Sequence, residues 1–224
     1  MKLAPARRPG SRNPQRSQEL ILAAAFQEFA EQGFAGARVD RIARRAGINK
    51  RMLYHYFGDK EALFRQVLRR KIAERKAWGV ITPDEASESL PYWFELACKD
   101  VGWIRLLEWE ALQFVGKPLI DEQRRRKAIL DAVARVRRRQ KTGHLSEAFT
   151  AKQMLLAMIS LTWFPLAFPQ LTRLISGHSV LDPAFQAAQR EFLRRFAVAF
   201  KNGKAGTKNE SESRANGDVR LNSK

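Results

Sequence analysis

The sequence predicts an all-α chain, with a small N-terminal helix-turn-helix unit and a larger C-terminal helical unit. Three observations carry this. Apolar residues recur at helical spacing along most of the chain, with no two-residue alternation of the kind a half-buried strand needs. Val39 to Glu61 reads as two short helices joined by a tight turn and followed at once by a third. Beyond Gly79 the chain becomes rich in aromatic residues on helical repeats. At 224 residues there is room for one helical unit of ordinary size plus a small one.

Residues 1–15 are rich in Arg and Pro and read as a flexible basic arm. The first helix is expected from about Ser17 to Gln32, with Ile21, Ala25 and Phe29 on one face, Gly33 as its stop and Phe34 packing back. The second is expected over Val39–Ala46. The third, Lys50–Phe57, has Asn49 as its N-cap. Gly58-Asp59 breaks and recaps the chain, and a fourth helix runs on to about Trp78. This makes residues 16–79 the first unit. Thr82-Pro83-Asp84-Glu85 opens the second, 80–201, as a capping box with Pro at the first helical position. Pro91 is expected to kink or restart a helix, and Gly116-Lys117-Pro118 to end one. A helix over about Asp121–Lys141 follows. Ser146 is available to cap the next, and Asp182-Pro183 to start the last. From 202 to 224 apolar periodicity is lost and the tail reads as disordered.

Within Val39–Glu61 the spacing is specific. Ala43 is small enough for two helices to cross closely, Gly47 tolerates positive φ just past the helix end, and Ile48 and Leu53 face inward. The second helix of such a unit can lie in the major groove of DNA. Here it carries Lys50, Arg51, Tyr54, His55 and Tyr56, which suit phosphates and base edges better than a core.

Charge agrees. The net charge is +18, and +11 of it falls in residues 1–80, as expected of a surface facing a polyanion. An acidic membrane would attract the same surface. Cys98 is the only cysteine, which excludes an intrachain disulfide and a cysteine metal cluster and suits a reducing cytoplasm. The longest apolar run, Met154 to Phe168, falls short of the roughly 20 residues that span a bilayer. His55, His144 and His178 share no ligand-spacing motif, and no P-loop, dinucleotide turn or nucleophile elbow is present. No metal, cofactor or catalytic residue is expected.

Phe26 to Glu61 resembles the N-terminal DNA-binding domain of TetR-family transcriptional regulators. The resemblance lies in Gln32-Gly33-Phe34, in Val39-x-x-Ile42-Ala43-x-x-Ala46-Gly47-Ile48, and in Leu53-Tyr54-x-Tyr56-Phe57-x-x-Lys60-Glu61-x-Leu63. It implies that Lys50 and Arg51 reach base edges, where either can bond guanine O6 and N7. Tyr54 would meet a phosphate or a thymine methyl, and Tyr56 a phosphate. Lys60 would meet the DNA backbone, helped by its helix's N-terminal amides. Asn49 and His55 fall on the same surface. Three residues depart from the family's habit. Arg38 stands where Ser or Thr usually caps the second helix, Tyr56 replaces the commoner His, and Arg51 replaces a small residue.

The resemblance further implies a homodimer formed by the last two long helices, about 147–168 and 183–201. It also implies a small-molecule effector pocket in the C-terminal unit, for which Trp93, Trp103, Trp109, Gln113, Trp163 and Phe164 are the candidate lining. The expected function is a cytoplasmic, nucleoid-associated transcriptional regulator, most often a repressor, on palindromic double-stranded operator DNA. Two alternatives stay open: a non-specific basic nucleic-acid-binding protein, and an enzyme with its site among the C-terminal helices.

Overall fold

The computed structural model describes residues 13–75, 83 and 86–202. The basic arm up to Arg12, the Thr82–Glu85 capping box apart from Pro83, the end of the fourth helix near Trp78 and the tail beyond Asn202 lie outside the described residues. Among the described residues every regular element is a helix. In chain order they are α1 Pro14–Gly36, α2 Val39–Ala46, α3 Lys50–Phe57, α4 Lys60–Arg75, α5 Ala86–Lys99, α6 Val101–Gln113, α7 Glu122–Lys141, α8 Ala151–Ala167, α9 Pro169–Ser176 and α10 Pro183–Asn202.

The starts follow from the residues present. Asn13 caps α1 by accepting from the Gln15 N–H at 3.0 Å, with Pro14 in the first turn. The helix therefore begins three residues before Ser17, inside the stretch expected to be a flexible arm. Asp59 accepts from the Ala62 N–H at 2.7 Å and caps α4. Asp182 does the same for α10 through Ala184 at 2.8 Å. Ser146 does not cap α8; Thr150 and Gln153 do, as a capping box four residues later. Helix α5 runs through Pro91 without restarting. The short helix α9, turned 89° from α8, has no counterpart in the sequence reading. No single helix among the described residues is long and apolar enough to cross a membrane.

Two main cores result. The first gathers Ile21, Ala25 and Phe29 of α1, Ile42 of α2, Leu53 of α3 and Leu63, Phe64 and Leu68 of α4. Phe34 closes it as expected, with its ring 5.4 Å from Phe64 and 6.2 Å from Phe29. Trp103 and Leu106 of α6 and Phe114 just past its end belong to this same core, so α6 seals the helix-turn-helix unit from behind. The second core is formed by α5, α8 and α10, through Leu90, Phe94, Leu166, Phe185 and Leu193. Val133 and Val136 of α7 pack against Ala151 and Met154 of α8 in a smaller cluster.

Helices α1 and α6 meet unusually closely. A side-chain carbon at Gly33 would lie 2.7 Å from the Trp109 indole, and one at Gly102 would lie 2.8 Å from the Phe26 ring. Gly33 also has φ 70°, which breaks α1.

Candidate nucleic-acid interface

The α2–α3 turn is built by Gly47, which has φ 63° and ψ 35°. The Ile48 N–H donates to the Ala43 carbonyl at 3.0 Å and closes the turn. Ala43 and Leu53 are buried at the crossing, which leaves the opposite face of α3 outward. Asn49 accepts from the Arg51 N–H at 2.9 Å and fixes where α3 begins.

On that outward face Lys50, Arg51, Tyr54 and His55 are exposed. Lys50 forms an ion pair with Asp40 of α2 at 2.7 Å. Their hydrogen bond raises the ammonium pKa and lowers that of the carboxylate. Both groups are open to water, so the pair is easily exchanged for a phosphate or base. Tyr56 is half-buried, packed on the core with its ring 6.4 Å from Phe57. Lys60 is half-buried too. Its Nζ donates to the Ala35 carbonyl at 3.2 Å and sits 5.0 Å from the centre of the Phe34 ring, and burial lowers its pKa. It therefore ties the start of α4 to the last turn of α1.

Arg38 makes no side-chain cap, as its chemistry demands. Its backbone N–H instead donates to Glu28 Oε1 at 3.0 Å. Glu28 is fully buried on α1 and also pairs with Arg41 Nε at 2.8 Å. In a capping box the third helical residue supplies that carboxylate. Here the third residue is Arg41, and α1 supplies it instead. Sequence reasoning passed over Glu28, yet it stands seven residues after Ile21 and so on the buried face of α1. It also passed over Arg41 and Arg44, which share one side of α2. With Arg38 and Lys50 they line an open concave surface beside α3.

These features are those of one family. The family described as bacterial regulatory proteins, tetR family, matches residues 21–67, and the tetracyclin repressor-like C-terminal domain matches residues 92–198. The HTH-type transcriptional repressor SCO4008 of Streptomyces coelicolor is 31% identical over 167 residues, 75% of this chain and 87% of that protein. The chain belongs to the TetR family of transcriptional regulators. The structure of SCO4942 from Streptomyces coelicolor superposes with a TM-score of 0.68 at 27% identity, covering 82% of this chain and 97% of that one. A Saccharomonospora viridis protein solved with choline has the same fold, with a TM-score of 0.61 at 17% identity over 81% of this chain and 95% of that one.

In this TetR-family chain the six candidate pocket residues separate. Trp93 of α5 and Trp163 of α8 line one cavity of about 380 Å³ between α5, α7 and α8. Trp103 is buried in the first core, where α6 faces α1. Trp109 sits on Gly33 and lines a surface groove beside the α8–α9 corner. Gln113 is exposed at the end of α6. Phe164 is exposed on α8, with its ring 5.0 Å from Phe168. Four of the six thus fall outside the cavity: Trp103 and Trp109 of α6 pack toward α1, while Gln113 and Phe164 stand in water.

Glu110 of α6 is buried and both of its oxygens are taken up structurally. It accepts from the Ile120 N–H at 3.1 Å and from Arg125 at 2.6 Å, tying the α6–α7 loop down. Burial pushes the Cys98 thiol up to about 11, so at neutral pH it is a thiol and a poor redox sensor.

Proposed function

We propose that this chain is a homodimeric repressor that binds a palindromic operator through two copies of α3 and is released by a small molecule held between α5, α7 and α8. The observation that carries the reading is the α3 face. Lys50, Arg51, Tyr54 and His55 project outward from a helix whose inner side is locked by Leu53, with Arg38, Arg41 and Arg44 alongside. Such a surface pairs base-reading cations with phosphate-binding ones.

The dimer reading rests on the other end of the molecule. Leu156, Leu171, Leu174, Ile175, Leu181 and Phe192 are exposed on and around α8, α9 and α10. An apolar surface of that extent calls for a partner, and a second copy would place two α3 helices in successive major grooves about 10 bp apart. The cavity beside Trp93 and Trp163 is within the size range of ligand sites. A ligand that favours a dimer with wrongly spaced α3 helices would lower operator affinity. Nothing in this reading requires a catalytic residue.

Footprinting the protein on its own genome, followed by gel-shift titration of the recovered sites, tests the reading. Protected inverted repeats bound far more tightly than random DNA are expected. Equal affinity for both overturns it in favour of a non-specific basic protein.

A further inference from the structure

The cavity between α5, α7 and α8 has an uneven charge. Its apolar walls are Trp93, Leu155, Met158, Ile159 and Trp163. Among the described residues its cations come from α7: Arg135, Arg138 and Arg139 line it, at positions i, i+3 and i+4 of one helix face. No acidic side chain is among the described residues that line it. Arg135 and Arg138 are exposed at its edge and form no ion pair with a described residue, and Asp131, one turn before Arg135, does not engage either. Other described arginines do find carboxylates, as Arg45 does Glu31, Arg65 Glu61, Arg125 Glu110 and Arg194 Glu88.

We infer that the effector is an amphipathic anion, with an aromatic or aliphatic body between Trp93 and Trp163 and a carboxylate or phosphate head against Arg135 and Arg138. This deepens the proposed function and rests on the cavity being the effector site. The body would gain by leaving water for the apolar walls. The head would meet guanidinium groups, whose planar donor fork matches a carboxylate or phosphate and which hold their charge at any physiological pH. A cationic ligand would bring like charge to the same edge and find no carboxylate among the described residues that line it.

A matched pair of fluorescent probes tests this on the full-length protein. 1-Anilinonaphthalene-8-sulfonate and N-phenyl-1-naphthylamine share one apolar body, and only the first carries an anion. The sulfonate is expected to bind roughly tenfold more tightly, the scale of one charge-assisted hydrogen bond. The double variant Arg135→Gln, Arg138→Gln should erase that difference while leaving the neutral probe unchanged. Ala132→Trp, which fills the cavity from α7, should block both probes; Ile159→Trp fills it from α8 if the first variant fails to fold. Decanoate and decyl phosphate then compete against the bound sulfonate, and the stronger competitor identifies the head group; decylammonium should not compete. Equal binding of the two probes to the native protein, or sulfonate binding indifferent to the arginine substitutions, overturns the anionic assignment while leaving the cavity as the effector site. Probe binding indifferent to both filling variants overturns the cavity itself.

Discussion

The two ends of the molecule handle their surfaces in opposite ways. Around α2 and α3 the large apolar residues turn inward, and what faces water is mostly arginine and lysine, with Asp40, Tyr54 and His55 among them. Around α8, α9 and α10 large apolar side chains stay in water: Leu174 is 79% exposed, Ile175 75% and Leu181 68%. A surface of the first kind suits a polyanion, where attraction is long-ranged and falls with salt. A surface of the second kind suits a protein face of similar chemistry, where stabilisation comes from area removed from water. One chain thus carries two surfaces whose associations would respond differently to ionic strength.

That contrast can be broken at either end. The largest effect is expected from Phe64→Ala, because its ring contacts Phe29 and Phe34 within the first core. A loss of about 3–5 kcal/mol of stability is expected, read by denaturant unfolding. The paired substitution Leu174→Asp, Ile175→Asp should leave the fold intact. It should raise the dimer dissociation constant by on the order of a hundredfold, measured by sedimentation equilibrium. An unchanged constant would remove α9 from the dimer interface. Arg51→Ala should cost operator binding about 1–3 kcal/mol and leave random DNA little affected. Lys60→Ala should weaken both and flatten the salt dependence, and gel shifts at several salt concentrations separate the two roles. Equal loss on specific and random DNA for Arg51→Ala would end its base-reading assignment. The smallest effect is expected from Asp40→Asn, which frees Lys50 and removes a negative charge from the interface. Operator affinity should rise roughly two- to threefold, the scale of an exposed ion pair.

Local features were legible in the sequence, and long-range ones were not. Gly47, Ile48, Asn49 and Leu53 each do what their spacing implied, because a turn and a cap are decided within five or six residues. The family could be read from the same short stretch. The start of α8 was misassigned to Ser146 because two residue types able to cap lie four positions apart, and only Thr150 has a Gln three residues on. Of the six candidate pocket residues only Trp93 and Trp163 line the cavity. Tryptophans at 93 and 163 are as apolar as those at 103 and 109, and only packing decides which pair faces α7 and which faces α1. Nothing in the α7 sequence marks its arginines as lining a site, since a helix seen alone does not reveal that one of its edges borders a void.

The two glycine contacts between α1 and α6 have a mechanical consequence. Where Trp109 seats on Gly33 and Phe26 on Gly102, even one added carbon would collide, so ring packs directly on backbone. The joint therefore has almost no backlash. A tilt of α6 must be taken up by α1, and through α1's contacts with α2 by the helix-turn-helix unit itself. Two missing side chains make the linkage stiff.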